Sequence, residues 1–464
     1  MRLTAAEVAE ATGGAVVGDG TVAADSFSID SRTLDPGACF VALVAERDGH
    51  DFVVDAFDRG AVMAVVARDV DTGNGARTVV KVDDTLAALG ALGALARDRL
   101  SGATVVAITG SAGKTATKDL LAAALGRARR VSASPVSFNN EAGLPLTMLS
   151  AEVDTEVVVA EMGARFAGNI AELCAIARPQ IGVVTNVGLA HAGPLGGRAG
   201  VAAVKGELLE ALSADGVAVL DADDDHTPAL ARRTVARVVR VGLEARPDVD
   251  LSVTDVELDE QLRPSFRLRT PVGSLDVHLA VRGEHQVLNA TMATAVAIEL
   301  GVPLEEIGEG LADAAGAAWR MQLARTDHGV AVLNDAYNAS PTSTSAALRS
   351  LARLPVPGRR MAVLGEMREL GAEAEAAHHQ IGQMAVECGV EVLVVVGEEA
   401  RALGAGARAA GRGGVEVVEV ADAAAAVDAI ATRACEGDAV LVKASRAIGL
   451  ERVAAALVDE AALA

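Results

Sequence analysis

Aromatic residues are scarce, with one Trp, one Tyr and seven Phe among 464 positions, so any core has to be built from the Ala, Val and Leu that dominate a 51% hydrophobic composition. Small side chains of this kind suit close packing of helices on sheets. Basic residues are also short: 41 Lys and Arg against 63 Asp and Glu leave a formal charge of -22, and no basic stripe offsets it. This argues against a nucleic-acid partner. The four cysteines, Cys39, Cys174, Cys388 and Cys435, are far apart and form no C-x-x-C pair. Neither a zinc site nor a disulfide framework is suggested, and a reducing cytoplasm fits. No run approaches 18 apolar residues, and the opening Met-Arg-Leu-Thr-Ala-Ala-Glu lacks the apolar centre of a signal peptide. The expectation is a cytoplasmic protein without membrane insertion. The length exceeds one ordinary core, so two or three domains are expected.

The most informative stretch is Thr104-Val-Val-Ala-Ile-Thr-Gly-Ser-Ala-Gly-Lys-Thr115, continued by Ala-Thr-Lys-Asp-Leu-Leu-Ala-Ala-Ala-Leu125. It reads as an apolar strand, a glycine turn, Lys-Thr and an amphipathic helix. Gly110 and Gly113 let the backbone bend, so that the loop through Ser111 and Ala112 turns N–H groups toward one anion at a helix N-terminus. Lys114 then reaches the β- and γ-phosphates of a nucleotide, and the Thr115 hydroxyl ligates Mg²⁺. The loop is more compact than G-x-x-x-x-G-K-[ST], whose first glycine would fall at Ile108. The plainer alternative is a ligand-free turn with a solvated lysine.

Around this stretch the pattern alternates strand and helix. Val157-Val-Val-Ala-Glu, Ile181-Gly-Val-Val and Val217-Ala-Val-Leu-Asp predict a parallel sheet covered on both faces, and short alternating segments between about 250 and 282 predict an antiparallel edge. A second α/β series, Val330-Ala-Val-Leu-Asn, Met361-Ala-Val-Leu-Gly, Val392-Leu-Val-Val-Val and Ala439-Val-Leu-Val-Lys, lacks the G-x-G-x-x-G fingerprint of dinucleotide binding. The expected fold is α/β in three domains. These are a small N-terminal α/β domain over 1–101, a central P-loop-type ATPase domain with a parallel sheet over 102–320, and a C-terminal Rossmann-like domain over 321–464.

Parallel sheets place metal and phosphate ligands at the C-terminal ends of their strands. Glu161 ends one such strand and is a candidate Mg²⁺ ligand beside Thr115; His191, after the next strand, is a second candidate, although a lone His there is more often structural. Lys205, in Lys-Gly-Glu on a following helix, reads from its flanking glutamates as a surface lysine. Arg446, after the last strong strand, is a candidate for holding a substrate carboxylate bidentately, or else a solvated loop residue.

The compact Thr-Gly-Ser-Ala-Gly-Lys-Thr loop is that of the Mur ligase and folylpolyglutamate synthase family, and the chain resembles the Mur ligases along essentially its whole length. Ser28-Ile-Asp-Ser-Arg resembles the N-terminal loop in which Ser31 and Arg32 would hold a uridine diphosphate, with Asp48-Gly-His-Asp-Phe52 in the same pattern. Ser137-Phe-Asn-Asn-Glu resembles the paired-asparagine loop, which implies that Asn139 and Asn140 contact substrate or the metal-bound phosphate. Glu284-His-Gln-Val-Leu-Asn289 resembles the helix start that places Asn289 near adenine. Arg320 would approach the γ-phosphate or ribose. In Asn334-Asp-Ala-Tyr-Asn-Ala-Ser-Pro341 the implied roles are Asp335 on ribose hydroxyls, Tyr337 on the base and Asn338 on phosphate. The resemblance also implies that Lys205 is carbamylated by CO₂, giving a carboxylate for a second Mg²⁺. Gly365-Glu-Met-Arg-Glu-Leu-Gly371, with His378 in the next helix, is typical of the member of the family that uses UDP-N-acetylmuramoyl-tripeptide and D-alanyl-D-alanine. The run His191-Ala-Gly-Pro-Leu-Gly-Gly-Arg departs from the usual acidic and Phe-Gly-Ser pattern. ATP and Mg²⁺ are the implied cofactors, a monomer is expected, and His378 or its neighbour His379 is a guess for the base that deprotonates the amine. Rival readings are another amide ligase of the same fold and a nucleotide-dependent switch that ligates nothing.

Overall fold

The computed structural model describes residues 1–73, 77–134, 138–411 and 414–458; Ser137 of the asparagine loop lies outside them. The chain starts by capping its own first helix. Thr4 accepts from the Glu7 amide at 3.2 Å while the Glu7 carboxylate accepts the Thr4 N–H at 2.7 Å, a reciprocal box that satisfies two otherwise orphaned donors of Ala5–Thr12. Behind this helix lies a five-stranded sheet in the order Ala15–Val17, Thr78–Lys81, Met63–Val66, Ala38–Val41, Ser26–Ser28, antiparallel at the first pairing and parallel elsewhere. Asp84 caps Thr85–Arg99, the Ala-Leu-Gly-rich helix. Its small residues are used for close approach: a Cβ on Gly93 would lie 2.8 Å from Cα of Pro145, so this helix lies directly on Gly143–Ser150. Leu89, Leu92, Leu144 and Met148 share one core with Leu3 and Val41, which joins the first sheet to the central part of the chain.

The central sheet has nine strands. From one edge they run Gly273–His278, Pro264–Thr270, Leu251–Leu258, Arg237–Gly242, Val217–Asp221, Ile181–Val184, Thr104–Thr109, Val157–Glu161 and Val131–Ala133. The segment expected as an antiparallel edge forms the first three of these strands, paired antiparallel, and the other pairings are parallel. Thr104–Thr109 lies between 157–161 on one side and 181–184 on the other, while Val131–Ala133, the strand that next follows it in the chain, pairs beyond 157–161 at the sheet edge. The chain leaves 104–109 toward 131–133 on one side and leaves its neighbour 181–184 toward 217–221 on the other, and such opposite departures open a crevice at the C-terminal ends of the two strands, where open α/β sheets bind ligands. The glycine loop begins there.

The third sheet is ordered Gln322–Arg325, Ala331–Asn334, Ala439–Lys443, Arg360–Gly365, Val390–Val396, Glu416–Val420, parallel apart from the first strand. Two of its strands, 322–325 and 416–420, are partly exposed edges with mixed polar sequence, which explains why apolar runs alone did not reveal them. No described helix is long and apolar enough to cross a membrane.

Candidate active site

The loop from Gly110 to Thr115 is built against the end of the neighbouring strand. Gly110 sits at φ +152, and a Cβ there would collide with the Thr185 hydroxyl; Gly113 sits at φ +83, and a Cβ would lie 2.6 Å from Asn289 Oδ1. Only glycine meets both demands. The amides of Ser111 and Ala112 donate to the Asn186 carbonyl (3.1 Å) and its Oδ1 (3.0 Å). This corrects part of the sequence reading: those two N–H groups brace the loop, which runs directly into the helix Lys114–Leu125. Lys114 Nζ donates to the Gly110 carbonyl at 2.8 Å. Burial, opposed by Glu161 and reinforced by Arg320, pulls its pKa below the ordinary lysine value.

Thr115 and Glu161 meet at the strand end. The Thr115 hydroxyl donates to Glu161 Oε2 at 2.8 Å and accepts from Arg320 Nη2 at 3.0 Å, while Asn139 Nδ2 donates to Glu161 Oε1 at 2.7 Å. Glu161 is 1% exposed, so a hydroxyl and a carboxylate, both hard oxygen donors, converge in a buried setting beside the glycine loop. Among the described residues no three His, Cys, Asp or Glu side chains form a metal cluster. A site with one carboxylate and one hydroxyl fits Mg²⁺, which takes few protein ligands and fills its shell with phosphate and water. The Arg320 guanidinium also lies 4.0 Å over the Tyr337 ring, joining the loop that follows Ala331–Asn334 to Thr115.

Lys205 is 6% exposed in the helix Arg198–Glu210, which corrects its reading as a surface lysine. Burial first, and the like charge of Lys114 second, hold its pKa well below the ordinary value. His191 is close enough to feel both ammonium groups; burial outweighs the carboxylate of Glu369 and sets its pKa below the ordinary histidine value. Its Nδ1 makes a short hydrogen bond with Glu369 Oε2.

Asn289 lies under the loop, 5% exposed, with Oδ1 accepting from Thr117 (3.3 Å) and Nδ2 donating to Gln286 (2.8 Å). Asp335 turns toward Lys443, whose Nζ lies 2.5 Å from its Oδ2, and its Oδ1 accepts the Met321 N–H at 3.1 Å. Lys443 also donates to the Asn338 carbonyl at 2.8 Å, while Asn338 Oδ1 accepts from the Ala339 N–H. Arg446 stacks 4.3 Å over Trp319 and pairs with Glu451 at 2.9 Å. At the first sheet, Arg32 is exposed and paired with Asp30 through Nε and Nη2 (2.9 and 2.7 Å), bonds that lower the Asp30 carboxyl to about 2. The buried Ser31 hydroxyl holds the Asp55 carboxyl below its ordinary value. Asn140 is exposed and accepts the Gly143 N–H at 2.9 Å.

Compared with known proteins, residues 108–297 match the Mur ligase middle domain and residues 319–446 match the Mur ligase glutamate ligase domain. A Mycobacterium leprae protein named UDP-N-acetylmuramoyl-tripeptide--D-alanyl-D-alanine ligase is 41% identical over 99% of both chains. The chain belongs to the Mur ligase family. An Escherichia coli protein of the same name is 34% identical over 93% of both chains. Among solved structures, MurF from Acinetobacter baumannii superposes with a TM-score of 0.87 at 31% identity over 99% of both chains. MurF ligase from Thermotoga maritima in complex with ADP gives 0.78 at 30% identity, covering 94% of this chain and 97% of that one.

In this Mur ligase, direct contacts join Thr115, Glu161, Asn139, Arg320 and Tyr337, and charge places Lys114, His191 and Lys205 beside them. Asp335, Asn338 and Arg446 gather instead around Lys443 and Trp319. Ser31, Arg32 and Asn140 make local contacts. His378 is corrected as the amine's base: it is 1% exposed, Nε2 accepts the Met367 N–H at 2.9 Å and Nδ1 donates to the Ala374 carbonyl at 2.7 Å, so both nitrogens are engaged. Sequence reasoning missed Asn186, Glu369 and Lys443. Lys443 carries a usable signal, a lone charge closing an apolar parallel strand.

Proposed function

We propose that this Mur ligase joins D-alanyl-D-alanine to UDP-N-acetylmuramoyl-tripeptide at the expense of ATP, in peptidoglycan precursor synthesis. The observation that carries the reading is full-length correspondence, 99% of both chains at 41% identity, with a relative bearing that activity in its name. The phosphate loop at the sheet's switch point supports the ATP half of the reaction.

In the first step a carboxylate oxygen of the tripeptide attacks the γ-phosphorus and ADP leaves, giving an acyl phosphate. The dipeptide amine then attacks the acyl carbon, phosphate leaves, and the nitrogen loses a proton. Lys114 and the first-turn amides hold the transferring phosphoryl charge, and Arg320 is close enough to assist. Thr115 and Glu161 would hold Mg²⁺, which would supply neutralisation of phosphate charge. His191 and a carbamate on Lys205 are the proposed ligands of a second ion; an amine whose pKa is depressed by burial and by Lys114 supplies the neutral nucleophile that CO₂ needs. Asn289, Asp335, Tyr337 and Asn338 are assigned to the nucleotide, Ser31 and Arg32 to the uridine diphosphate, Asn139 and Asn140 to substrate or phosphate, and Arg446 to a substrate carboxylate. For Asp335 and Asn289, that assignment requires existing contacts to Lys443, Thr117 or Gln286 to be shared or exchanged. Domains at 1–101, 102–320 and 321–464, a monomeric state and a cytoplasmic location complete the proposal.

The test is phosphate release from ATP in the presence of each substrate alone and of both together. Release that requires both supports the reading. Release without the dipeptide, or with glutamate on a folate acceptor, overturns it.

A further inference from the structure

The loop after the strand Arg360–Gly365 reaches from the third sheet to the turn that carries His191. Besides the Glu369 carboxylate on His191 Nδ1, the Glu369 carbonyl accepts the Gly193 N–H at 2.9 Å. Gly193 and Gly371 lie back to back: a Cβ on Gly371 would come within 2.6 Å of the Gly193 Cα, and one on Gly193 within 2.8 Å of the Gly371 nitrogen. His191 and Glu369 are both held in left-handed backbone, at φ +61 and +63, a conformation that persists where the surroundings over-determine it. The Glu369 loop is braced from behind as well. Met367 N–H donates to His378 at 2.9 Å, Arg368 N–H to Ser445 Oγ at 2.9 Å, and Ser445 N–H to the Glu366 carbonyl at 3.0 Å.

A carboxylate on Nδ1 keeps the proton of a neutral imidazole on that nitrogen and leaves the lone pair on Nε2. We propose that Glu369 is a positioning residue: from the C-terminal part of the chain it fixes the ring and tautomer of His191, so that Nε2 is presented to the phosphate side only while the 365–371 loop is seated on the 191–193 turn. Domain seating and completion of the site are then one event. The inference rests on the reading of His191 as part of the phosphate-transfer site and adds to it the residue that orients it.

Two measurements on the full chain test this. In ¹⁵N-labelled protein, long-range proton–nitrogen spectra of the histidine rings, with His191→Gln identifying the signal, should show Nδ1 protonated and Nε2 bare. Glu369→Leu should shift that ring toward the opposite tautomer or an average of the two. In turnover, Glu369→Gln, which keeps an acceptor oxygen, should lower kcat about 10-fold, and Glu369→Leu about 100-fold. KM for ATP should change little in either. His191→Gln combined with Glu369→Leu should be no slower than His191→Gln alone, because the carboxylate acts through the ring. An unchanged tautomer in Glu369→Leu, or losses that multiply in the double variant, overturns the proposal. If Glu369→Leu does not fold, the same spectra and kinetics of Glu369→Gln decide: a ring and a kcat both like wild type overturn it. The ring spectra need no substrate, so absence of ligation by the wild-type chain would count against the proposed activity while leaving this test intact.

Discussion

Replacing Lys205 by Met should make the protein more stable and inactive at once. The side chain is 6% exposed, burial and Lys114 depress its pKa well below 10.5, and among the described residues no carboxylate is one of the groups acting on it. Since the folded pKa lies below the unfolded one, the unfolded chain binds a proton that the native state releases between the two values. Stability therefore rises with pH across that window, and the penalty is greatest below the folded pKa and gone above 10.5. Methionine fills a similar volume without an ionisable group, so in CO₂-free buffer the variant should gain about 1–3 kcal/mol near neutral pH. The gain should shrink to nothing as the pH passes the ordinary lysine value. Scanning fluorimetry of both proteins from about pH 7 to about pH 11 reads this difference directly. Phosphate release should fall about 100-fold or more in Lys205→Met, on the scale of losing a ligand or charge-stabilising group. Lys205→Ala, which leaves space, should recover part of its activity with formate or acetate. A variant less stable than wild type near neutral pH would show that the amine has a charge partner, and full activity in Lys205→Ala without added acid would remove this lysine from the site.

Lys114→Ala should lose about 10³-fold in phosphate release with a melting temperature no lower than that of the wild type, because the burial penalty of the ammonium and its repulsion of Lys205 go together with its bond to the Gly110 carbonyl; retained turnover would refute the phosphate assignment. Gly113→Ala places a Cβ 2.6 Å from Asn289 Oδ1 at φ +83 and should cost about 1–3 kcal/mol and weaken binding of an ATP analogue, whereas Gly102→Ala, with nothing within 4 Å, should change neither in calorimetry. Asp335→Asn leaves the Lys443 ammonium, 2% exposed, without its carboxylate; urea unfolding should show a loss of about 3–5 kcal/mol, and Lys443→Met in the same background should restore part of it. A loss below about 1 kcal/mol would mean that the pair is relieved by solvent.

The parts of this protein legible in one dimension are those whose physics is local. Strand, glycine turn and helix follow from an apolar run, from an amphipathic pattern after it and from the backbone freedom that Gly110 and Gly113 supply, and Glu161 was recognisable because parallel strands end where ligands bind. The antiparallel edge at 251–278 announced itself through period-two alternation and turn residues. Other properties depend on residues far away in the chain. Lys205 reads as a surface lysine between glutamates, and only tertiary packing buries it and brings the like charge of Lys114 near it. Asn186 uses the amides of Ser111 and Ala112 because a strand about 75 positions onward ends beside the loop, and His378 is spent on the backbone of Met367, in the loop before its helix, and of Ala374, at the helix start. Glu369 meets His191 across 178 positions. Sequence periodicity reports which face of an element is apolar; it carries no information on which two loop ends meet when sheets dock, so the pairing of that carboxylate with that imidazole was decided by the tertiary structure alone.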